Sequence, residues 1–87
     1  MDGIDAGIHD KVRQYVFENF LFGAKSRNIE STTSFLESGI IDSTGILEIV
    51  HYLEDEFGIK VEDEEIVPEN LDSLRNIAAY VQRKRPA

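Results

Sequence analysis

Apolar side chains recur at helical spacing in three stretches of the chain. The clearest stretch runs from Ser43 to Phe57, where the apolar positions share one face and acidic residues lie mostly off it. Weaker patterns with the same period cover Ile8 to Phe22 and about Ser73 to Arg83. No stretch shows convincing strand alternation, although Ile59 to Val61 is a short extended possibility. The pattern therefore predicts an all-α fold.

The residues that flank these stretches are types that commonly begin and end helices. Asp42 is placed to cap the second helix, because a carboxylate there accepts hydrogen bonds from the unpaired amides of the first turn. Asp72 precedes the last helix in the same way and is also predicted to be its N-cap. Gly23 and Gly58 are predicted to end the first and second helices, since glycine readily adopts a left-handed stop.

Two segments between the helices are predicted to be irregular or only briefly helical. Residues 23–42 are rich in polar residues and glycine, and are predicted to form a long loop that apolar side chains attach to the core. These side chains are Ile29, Phe35, Leu36, Ile40 and Ile41. The short segment of residues 62–67 is rich in acidic residues and is followed by Pro68. It is predicted to form one or two helical turns. The chain is thus predicted to be a four-helix bundle with a long first loop and a short third helix.

The predicted core gathers the inward positions of these elements. It comprises Ile8, Val12, Val16, Phe20, Phe35, Ile46, Val50, Leu53, Phe57, Ile66, Leu71, Leu74, Ile77 and Val81. With 87 residues, of which 41% are hydrophobic and 30% charged, the chain supports one compact domain, predicted to span residues 1–87.

Cysteine is absent from the chain, which excludes disulfides and thiolate chemistry by the protein itself. Any thiol in its function must come from a prosthetic group. No apolar run reaches membrane-spanning length and no signal-peptide pattern is present, so we expect a cytoplasmic location and no membrane insertion.

Negative charge is concentrated in the middle of the chain. The whole sequence carries a net charge of -8, residues 35–72 carry -11, and residues 73–87 carry +4. Such a middle region repels nucleic-acid phosphates and anionic membranes, and it favours basic protein partners. We expect protein partners and no nucleic acid.

Ser43 stands at the mouth of the strongest predicted helix. A serine there is exposed and lies beside unpaired amides and the positive end of the helix dipole, which together tolerate a phosphate. Taken alone, a serine at such a position more often serves only to open or cap the helix.

The wider sequence around Ser43 resembles the acyl carrier protein family. The family marker is an Asp-Ser-Leu-like tripeptide after a glycine-containing loop, followed by an amphipathic acidic helix that ends in a Glu-Glu-Phe-Gly-Ile-like run. The matching residues here are Asp42-Ser43-Thr44, Leu47-Glu48-Ile49-Val50 and Leu53-Glu54-Asp55-Glu56-Phe57-Gly58-Ile59. The resemblance is close over about residues 35–82 and looser over the first helix.

This resemblance implies a carrier and not an enzyme, with no catalytic residue and no metal site. Ser43 matches the serine that receives 4'-phosphopantetheine from coenzyme A through a phosphopantetheinyl transferase, and the thiol of that arm carries acyl groups as thioesters. The implied partners are acyl-loading and acyl-transfer enzymes with basic surfaces. The carrier is expected to be a monomer that binds these enzymes one after another. Positions matched to partner contact are Asp42, Thr44, Glu48, Glu54 and Glu56.

Two departures from the family pattern leave the cargo open. Thr44 replaces a usual leucine, and Gly45 predicts a looser first turn, because glycine weakens a helix by roughly 1 kcal/mol relative to alanine. The Gly39-to-Ser43 spacing and the Ser-x-Gly that follows also resemble carriers served by adenylating enzymes, including the D-alanine carrier family. An aminoacyl carrier is therefore one alternative, and a non-enzymatic acidic helical interaction module is a second.

Three other patterns in the chain are weaker evidence for a function. The literal Asp72-Ser73-Leu74 leaves only fourteen residues after Ser73, too few for the rest of a four-helix domain. A hydrolase elbow around Ser43 lacks its first glycine, and His51 is two helical turns away. Residues 62–65 are acidic but lack the ligand spacing of a calcium loop.

Overall fold

The computed structural model describes residues 6–20 and 30–85, and within these ranges the chain forms helices and no strand. The helices are α1 (Ala6–Asn19), α2 (Phe35–Ser38), α3 (Ser43–Phe57), α4 (Pro68–Leu71) and α5 (Leu74–Lys84), with a 3₁₀ turn at Asp63–Glu65. The predicted all-α helical bundle is confirmed. The first loop contains the extra helical turn α2, and the predicted short third helix is a 3₁₀ turn followed by α4. None of the described helices is both long enough and apolar enough to span a membrane.

Both predicted ends of α3 are confirmed. Asp42 is the N-cap, and its side chain accepts a hydrogen bond from the Gly45 amide at 2.8 Å. Gly58 ends the helix in the left-handed conformation, with φ 67°, and its amide donates to the Glu54 carbonyl at 3.0 Å. The longest of the described helices therefore begins and ends at residues whose roles can be predicted from the sequence.

The predicted start of the last helix is wrong by one residue. Ser73, and not Asp72, is the N-cap of α5, and its hydroxyl accepts a hydrogen bond from the Asn76 amide at 3.1 Å. Asp72 instead accepts hydrogen bonds from the Ser34 hydroxyl and from the Leu36 amide, the latter at 2.9 Å. The carboxylate is held by the first loop and is not available to cap α5.

Other boundaries also differ from the prediction. Pro68 begins α4 at its first position, where a missing amide costs nothing, and does not simply end the acidic segment. The last described helical hydrogen bond of the first helix joins the Phe20 amide to the Val16 carbonyl, and the predicted continuation to Phe22 lies outside the described residues. Its predicted end at Gly23 and the predicted core contact of Ile29 lie outside the described residues.

Most of the predicted core is buried. Phe20, Phe57 and Ile66 are only partly buried and pack against its edge, and Leu36 is 41% exposed rather than packed inward. Ile41, predicted to attach the first loop to the core, is buried, as are Ile49 and Ala78 on the predicted apolar faces of their helices. Buried apolar residues that the prediction did not place in the core are Ile59, Val61 and Tyr80. Ile59 and Val61 alternate along the extended segment after α3, where helical periodicity gives no signal.

Glu65 attaches the 3₁₀ turn to α5. Its carboxylate accepts hydrogen bonds from Lys84 Nζ at 2.8 Å, the Tyr80 hydroxyl at 2.9 Å and the Glu62 amide at 3.0 Å. These donors, with Lys84 foremost, lower the pKa of Glu65 from 4.5 to about 2. Burial, and then the bonded carboxylate, raise the pKa of Tyr80. The acidic segment is thereby fixed to the basic end of the last helix.

Candidate functional site

The first turn of α3 places Ser43 at the surface. Because Asp42 is the N-cap, with φ -98° and ψ -174°, Ser43 is the first residue inside the helix. Its side chain is exposed, and no hydrogen bond engages its hydroxyl within residues 6–20 and 30–85. The hydroxyl is thus free, and it lies at the positive end of a fifteen-residue helix dipole.

Nothing near Ser43 in the described structure would make it a nucleophile in its own right. His51 lies eight residues further along the same helix, about 12 Å away along its axis. The described residues contain no group of three or more metal-binding side chains. The arrangement can present a hydroxyl for modification, and no described side chain is hydrogen-bonded to it as a general base would be.

Gly45 packs the start of α3 against the core. A Cβ at this position would lie 2.6 Å from Ile41 Cγ2 and 2.9 Å from Phe20 Cε1, so only glycine lets these side chains approach. Gly45 and Ile41 are both buried. The close approach of Ile41 and Phe20 gives a packing reason for glycine at this position, and the looser first turn stays a prediction.

An apolar cavity of about 320 Å³ borders Ser43. Its walls come from α2, α3, α4 and the segment before α4, chiefly Leu36, Ile46, Leu47, Ile66, Val67 and Leu71. Hydrogen bonds hold two of these walls: Asp72, which also lines the cavity, accepts from Leu36 in α2, and Glu65, the residue before Ile66, accepts from Lys84 in α5. The free hydroxyl therefore stands beside a preformed apolar recess.

The acidic residues predicted to meet partners do not all point freely into solvent. Thr44 and Glu48 are exposed. Glu54 accepts a hydrogen bond from the Val61 amide at 3.0 Å, and Glu56 pairs with Lys11 Nζ at 3.0 Å. Asp42 is exposed but also caps the helix. Partner contact by these residues stays a prediction, and three of them also have structural roles, namely Asp42, Glu54 and Glu56.

Ser73 offers a direct contrast with Ser43. It is only 4% exposed, and its hydroxyl is used as the N-cap of α5. A bulky group on this oxygen would break the cap and collide with the core. The literal Asp-Ser-Leu tripeptide therefore has no accessible hydroxyl.

Comparison with known proteins agrees with this geometry. A family model described as "Phosphopantetheine attachment site" matches residues 21–81, which is most of the chain. The chain belongs to the acyl carrier protein family. The acyl carrier protein of Bdellovibrio bacteriovorus is 30% identical, with 92% of this chain and 97% of that protein aligned. That of Akkermansia muciniphila is 32% identical, with 91% and 94% aligned.

The chain is also similar to one further carrier protein and to one solved structure. A "Probable acyl carrier protein PigG" of a Serratia species is 30% identical, with 87% of this chain and 86% of that protein aligned. A solved chain in a structure titled "Crystal structure of FAD-dependent dehydrogenase" superposes with a TM-score of 0.70 at 26% identity. The superposition covers 80% of this carrier and 97% of that chain, so the two are of similar length.

Family membership fixes the class of function. The protein is an acyl carrier, which transports acyl groups as thioesters on phosphopantetheine and interacts with the enzymes that modify and acylate it. The described residues fit such a group, because an exposed free hydroxyl stands beside an apolar recess. Proteins of this kind are generally not catalysts themselves.

Proposed function

We propose that Ser43 is the attachment point of the 4'-phosphopantetheine arm. The single observation that carries the proposal is the difference in exposure between the two serines that follow an aspartate. Ser43 is exposed with an unengaged hydroxyl, whereas Ser73 is buried and caps a helix. The positive end of the α3 dipole next to Ser43 favours the phosphodiester that attachment creates.

Attachment has a simple balance. The Ser43 oxygen bonds to the phosphorus that bears pantetheine in coenzyme A, the pyrophosphate bond breaks, and adenosine 3',5'-bisphosphate leaves. The hydroxyl proton passes to a base of the phosphopantetheinyl transferase, since His51 is too distant to accept it. When bound, the arm supplies the thiol that a chain without cysteine lacks.

The remaining part of the proposal concerns partners. Exposed Thr44 and Glu48 lie one and five residues beyond Ser43, so an enzyme that reaches the arm also meets them. A transferase and acyl-loading enzymes with basic surfaces suit this acidic face by charge complementarity. The carrier is proposed to act as a single-domain monomer in the cytoplasm.

Intact-mass measurement tests the attachment site. The full chain is incubated with coenzyme A, magnesium and a broad-specificity phosphopantetheinyl transferase. One phosphopantetheine should be added to the wild type and to Ser73→Ala, and none to Ser43→Ala. Ser38→Ala is a matched control, because Ser38 is also an exposed serine near the site. Modification of Ser43→Ala, or its absence from the folded wild type, would refute the assignment.

The solved structure that resembles this chain supports a narrower proposal, which concerns one partner enzyme and the group that it oxidises. Because a chain of similar fold and length occurs in a structure titled for an FAD-dependent dehydrogenase, we propose such an enzyme as a partner of this carrier. Its reaction would remove two hydrogen atoms from the bound acyl or aminoacyl group and transfer two electrons and two protons to the flavin.

This partner proposal has its own test. The carrier is loaded with alternative acyl and aminoacyl groups and mixed with the FAD-dependent dehydrogenase of that structure. Bleaching of the oxidised flavin, with loss of two hydrogen atoms from the carrier's mass, supports it and identifies the cargo class. If the flavin stays oxidised with every thioester tested, although the carrier accepts the arm normally, the dehydrogenase proposal is contradicted. The assignment of Ser43 as the attachment site is not affected by that result.

A further inference from the structure

Asp72 is the one charged side chain among the described residues that line the cavity beside Ser43. The cavity has a volume of about 320 Å³, and apart from Asp72 and Ser43 its lining is apolar. The apolar lining residues are Leu36, Ile46, Leu47, Ile66, Val67, Pro68 and Leu71. A carboxylate on such a wall loses water when an apolar group fills the space beside it, which costs free energy. The charge of Asp72 therefore bears on which cargo the cavity accepts.

Hydrogen bonds fix the position of the Asp72 carboxylate and leave part of it open. Its Oδ2 accepts from the Ser34 hydroxyl, and its Oδ1 accepts from the Leu36 amide at 2.9 Å. A carboxylate has about four acceptor positions, so these two donors leave roughly two of them open. No basic side chain in residues 6–20 and 30–85 lies within ion-pair distance of Asp72. The carboxylate is thus held in place, with its charge unpaired in the part of the chain that the structure describes.

A second cavity, which is polar and measures about 380 Å³, also borders Asp72. Its lining residues are Thr32, Ser34, Pro68, Glu69, Asp72, Ser73 and Asn76. Pro68 and Asp72 line both cavities, so the carboxylate lies where the apolar space meets the polar one. A cation at this boundary can keep polar partners on one side while the group that bears it occupies the apolar cavity. Sites for small molecules commonly combine an apolar lining with a few polar groups in this way.

We propose that Asp72 binds the ammonium group of a small aminoacyl cargo carried on Ser43. The inference rests on the proposed attachment at Ser43 and narrows the cargo from acyl or aminoacyl groups to aminoacyl groups. An ammonium supplies positive charge and N–H donors, which match the unpaired charge and open acceptor positions of Asp72. An acyl group without the ammonium would take water from the carboxylate and return no hydrogen bond.

The size of the cavity favours a small cargo. Its volume of about 320 Å³ is near the lower limit of sites that bind small molecules, which measure roughly 300–1,000 Å³. Ser43 and Asp72 line the same cavity, so the attachment point and the proposed ammonium site share one space. Alanyl, one of the smallest aminoacyl groups, is therefore a suitable probe.

Two cargoes of matched shape test the ammonium contact. Alanyl and isobutyryl groups differ only in that an ammonium replaces a methyl group. Each is transferred to the full chain from its coenzyme A derivative, with a stable amide in place of the thioester, and intact mass confirms loading. Near pH 6 the α-amino group is protonated, and NMR follows the Leu36 amide because it donates to Asp72. Alanyl should shift that signal clearly more than isobutyryl does.

Asp72→Asn and Glu69→Gln are charge-matched variants, checked for folding by circular dichroism. Asp72→Asn keeps the size of the side chain and an oxygen that accepts from the Leu36 amide, but removes the charge. Glu69→Gln removes the same charge from a residue that lines the polar cavity and not the apolar one. Cleavage of the alanyl thioester by hydroxylamine should be about threefold faster in Asp72→Asn and within about 1.5-fold of wild type in Glu69→Gln. The isobutyryl thioester should respond to neither change.

Equal shifts of the Leu36 signal by alanyl and isobutyryl in the wild type would overturn the proposal, and this comparison needs no variant at Asp72. Protection of the alanyl thioester that survives in folded Asp72→Asn, or that Glu69→Gln removes equally, would also overturn it.

A titration that does not use Ser43 separates the two proposals. Alanine ethylamide and its isobutyryl counterpart are added as free compounds to Ser43→Ala, again with the Leu36 amide followed by NMR. The alanine compound should shift that signal and the isobutyryl compound should not, whereas equal responses would refute the role of Asp72. Failure of Ser43 as the attachment site would instead appear as absent loading in the mass measurement.

Discussion

The starts of α3 and α5 carry the same dipeptide, Asp-Ser, and use it in different registers. At α3 the aspartate is the cap and the serine is the first helical residue, exposed and free. At α5 the serine is the cap, and the aspartate before it bonds to Ser34 and Leu36 in the first loop. A shift of one residue in the cap decides which hydroxyl is exposed and which is used within the fold.

This difference indicates that an aspartate caps the helix that follows it only when no other group binds its carboxylate. Asp42 has no partner in the described structure other than its own helix, so it caps. Asp72 can bond to the start of α2 instead, and its backbone carbonyl also accepts from the Phe35 amide at 2.8 Å. A serine hydroxyl then serves as the cap, which removes Ser73 from the surface.

The largest expected effect is a loss of stability on removal of the Asp72 carboxylate. Asp72→Ala should lower the free energy of unfolding by about 2–4 kcal/mol, because two hydrogen bonds to a half-buried carboxylate are lost and their donors are left unpaired. Asp42→Ala should cost only about 1 kcal/mol, the usual loss for an exposed cap. Urea denaturation measures both, and equal losses would show that Asp72 does not clamp the first loop.

Gly45→Ala examines the packing beneath Ser43. The added methyl group must displace Ile41 and Phe20, which should cost about 2–3 kcal/mol, partly offset by roughly 1 kcal/mol of better helix propensity. A net destabilisation of about 1–2 kcal/mol is expected in thermal or urea unfolding. Thr44→Ala, at the exposed neighbouring position, is the control and should change little. A stabilised Gly45→Ala protein would mean that helix propensity outweighs the close approach.

The serine pair gives a smaller and opposite contrast. Ser73→Ala should destabilise by about 1 kcal/mol through loss of the α5 cap, while Ser43→Ala should stay within about 0.5 kcal/mol of the wild type. Ser73→Ala should therefore lower stability and keep phosphopantetheine attachment, whereas Ser43→Ala should lose attachment and keep its stability. If Ser43→Ala proved the more destabilising change, its hydroxyl would have a structural role.

The smallest effect concerns Glu65, which ties the acidic turn to the far end of α5. Its pKa is lowered in the folded protein from 4.5 to about 2, so its contribution is present above pH 4.5 and is lost as pH falls towards 2. The difference in melting temperature between the wild type and Glu65→Gln should therefore shrink across that range. Glu64→Gln, at the exposed neighbouring position, should show no comparable pH dependence; a constant difference for Glu65→Gln would contradict the assignment.

Sequence reasoning succeeded where local chemistry has no competitor. The span of α3, its cap at Asp42 and its stop at Gly58 were all predicted, because amphipathic period, a capping carboxylate and a left-handed glycine act within a few residues. It missed Tyr80, a buried residue whose hydroxyl donates to Glu65, fifteen residues earlier in the chain. It also missed the small helix α2, because four residues are too few for a periodic pattern.

By itself, the sequence determined the family resemblance, the helical class, the absence of a cysteine thiol and the serine that stands at the mouth of the central helix. These follow from composition and from patterns that the chain carries locally. Only the tertiary structure decided which Asp-Ser pair leaves its hydroxyl free, why Gly45 is tolerated, and that Glu54 and Glu56 have partners within the fold. The physical reason is that caps, close packing and ion pairs depend on which distant groups reach the same atoms first, and no local pattern encodes that.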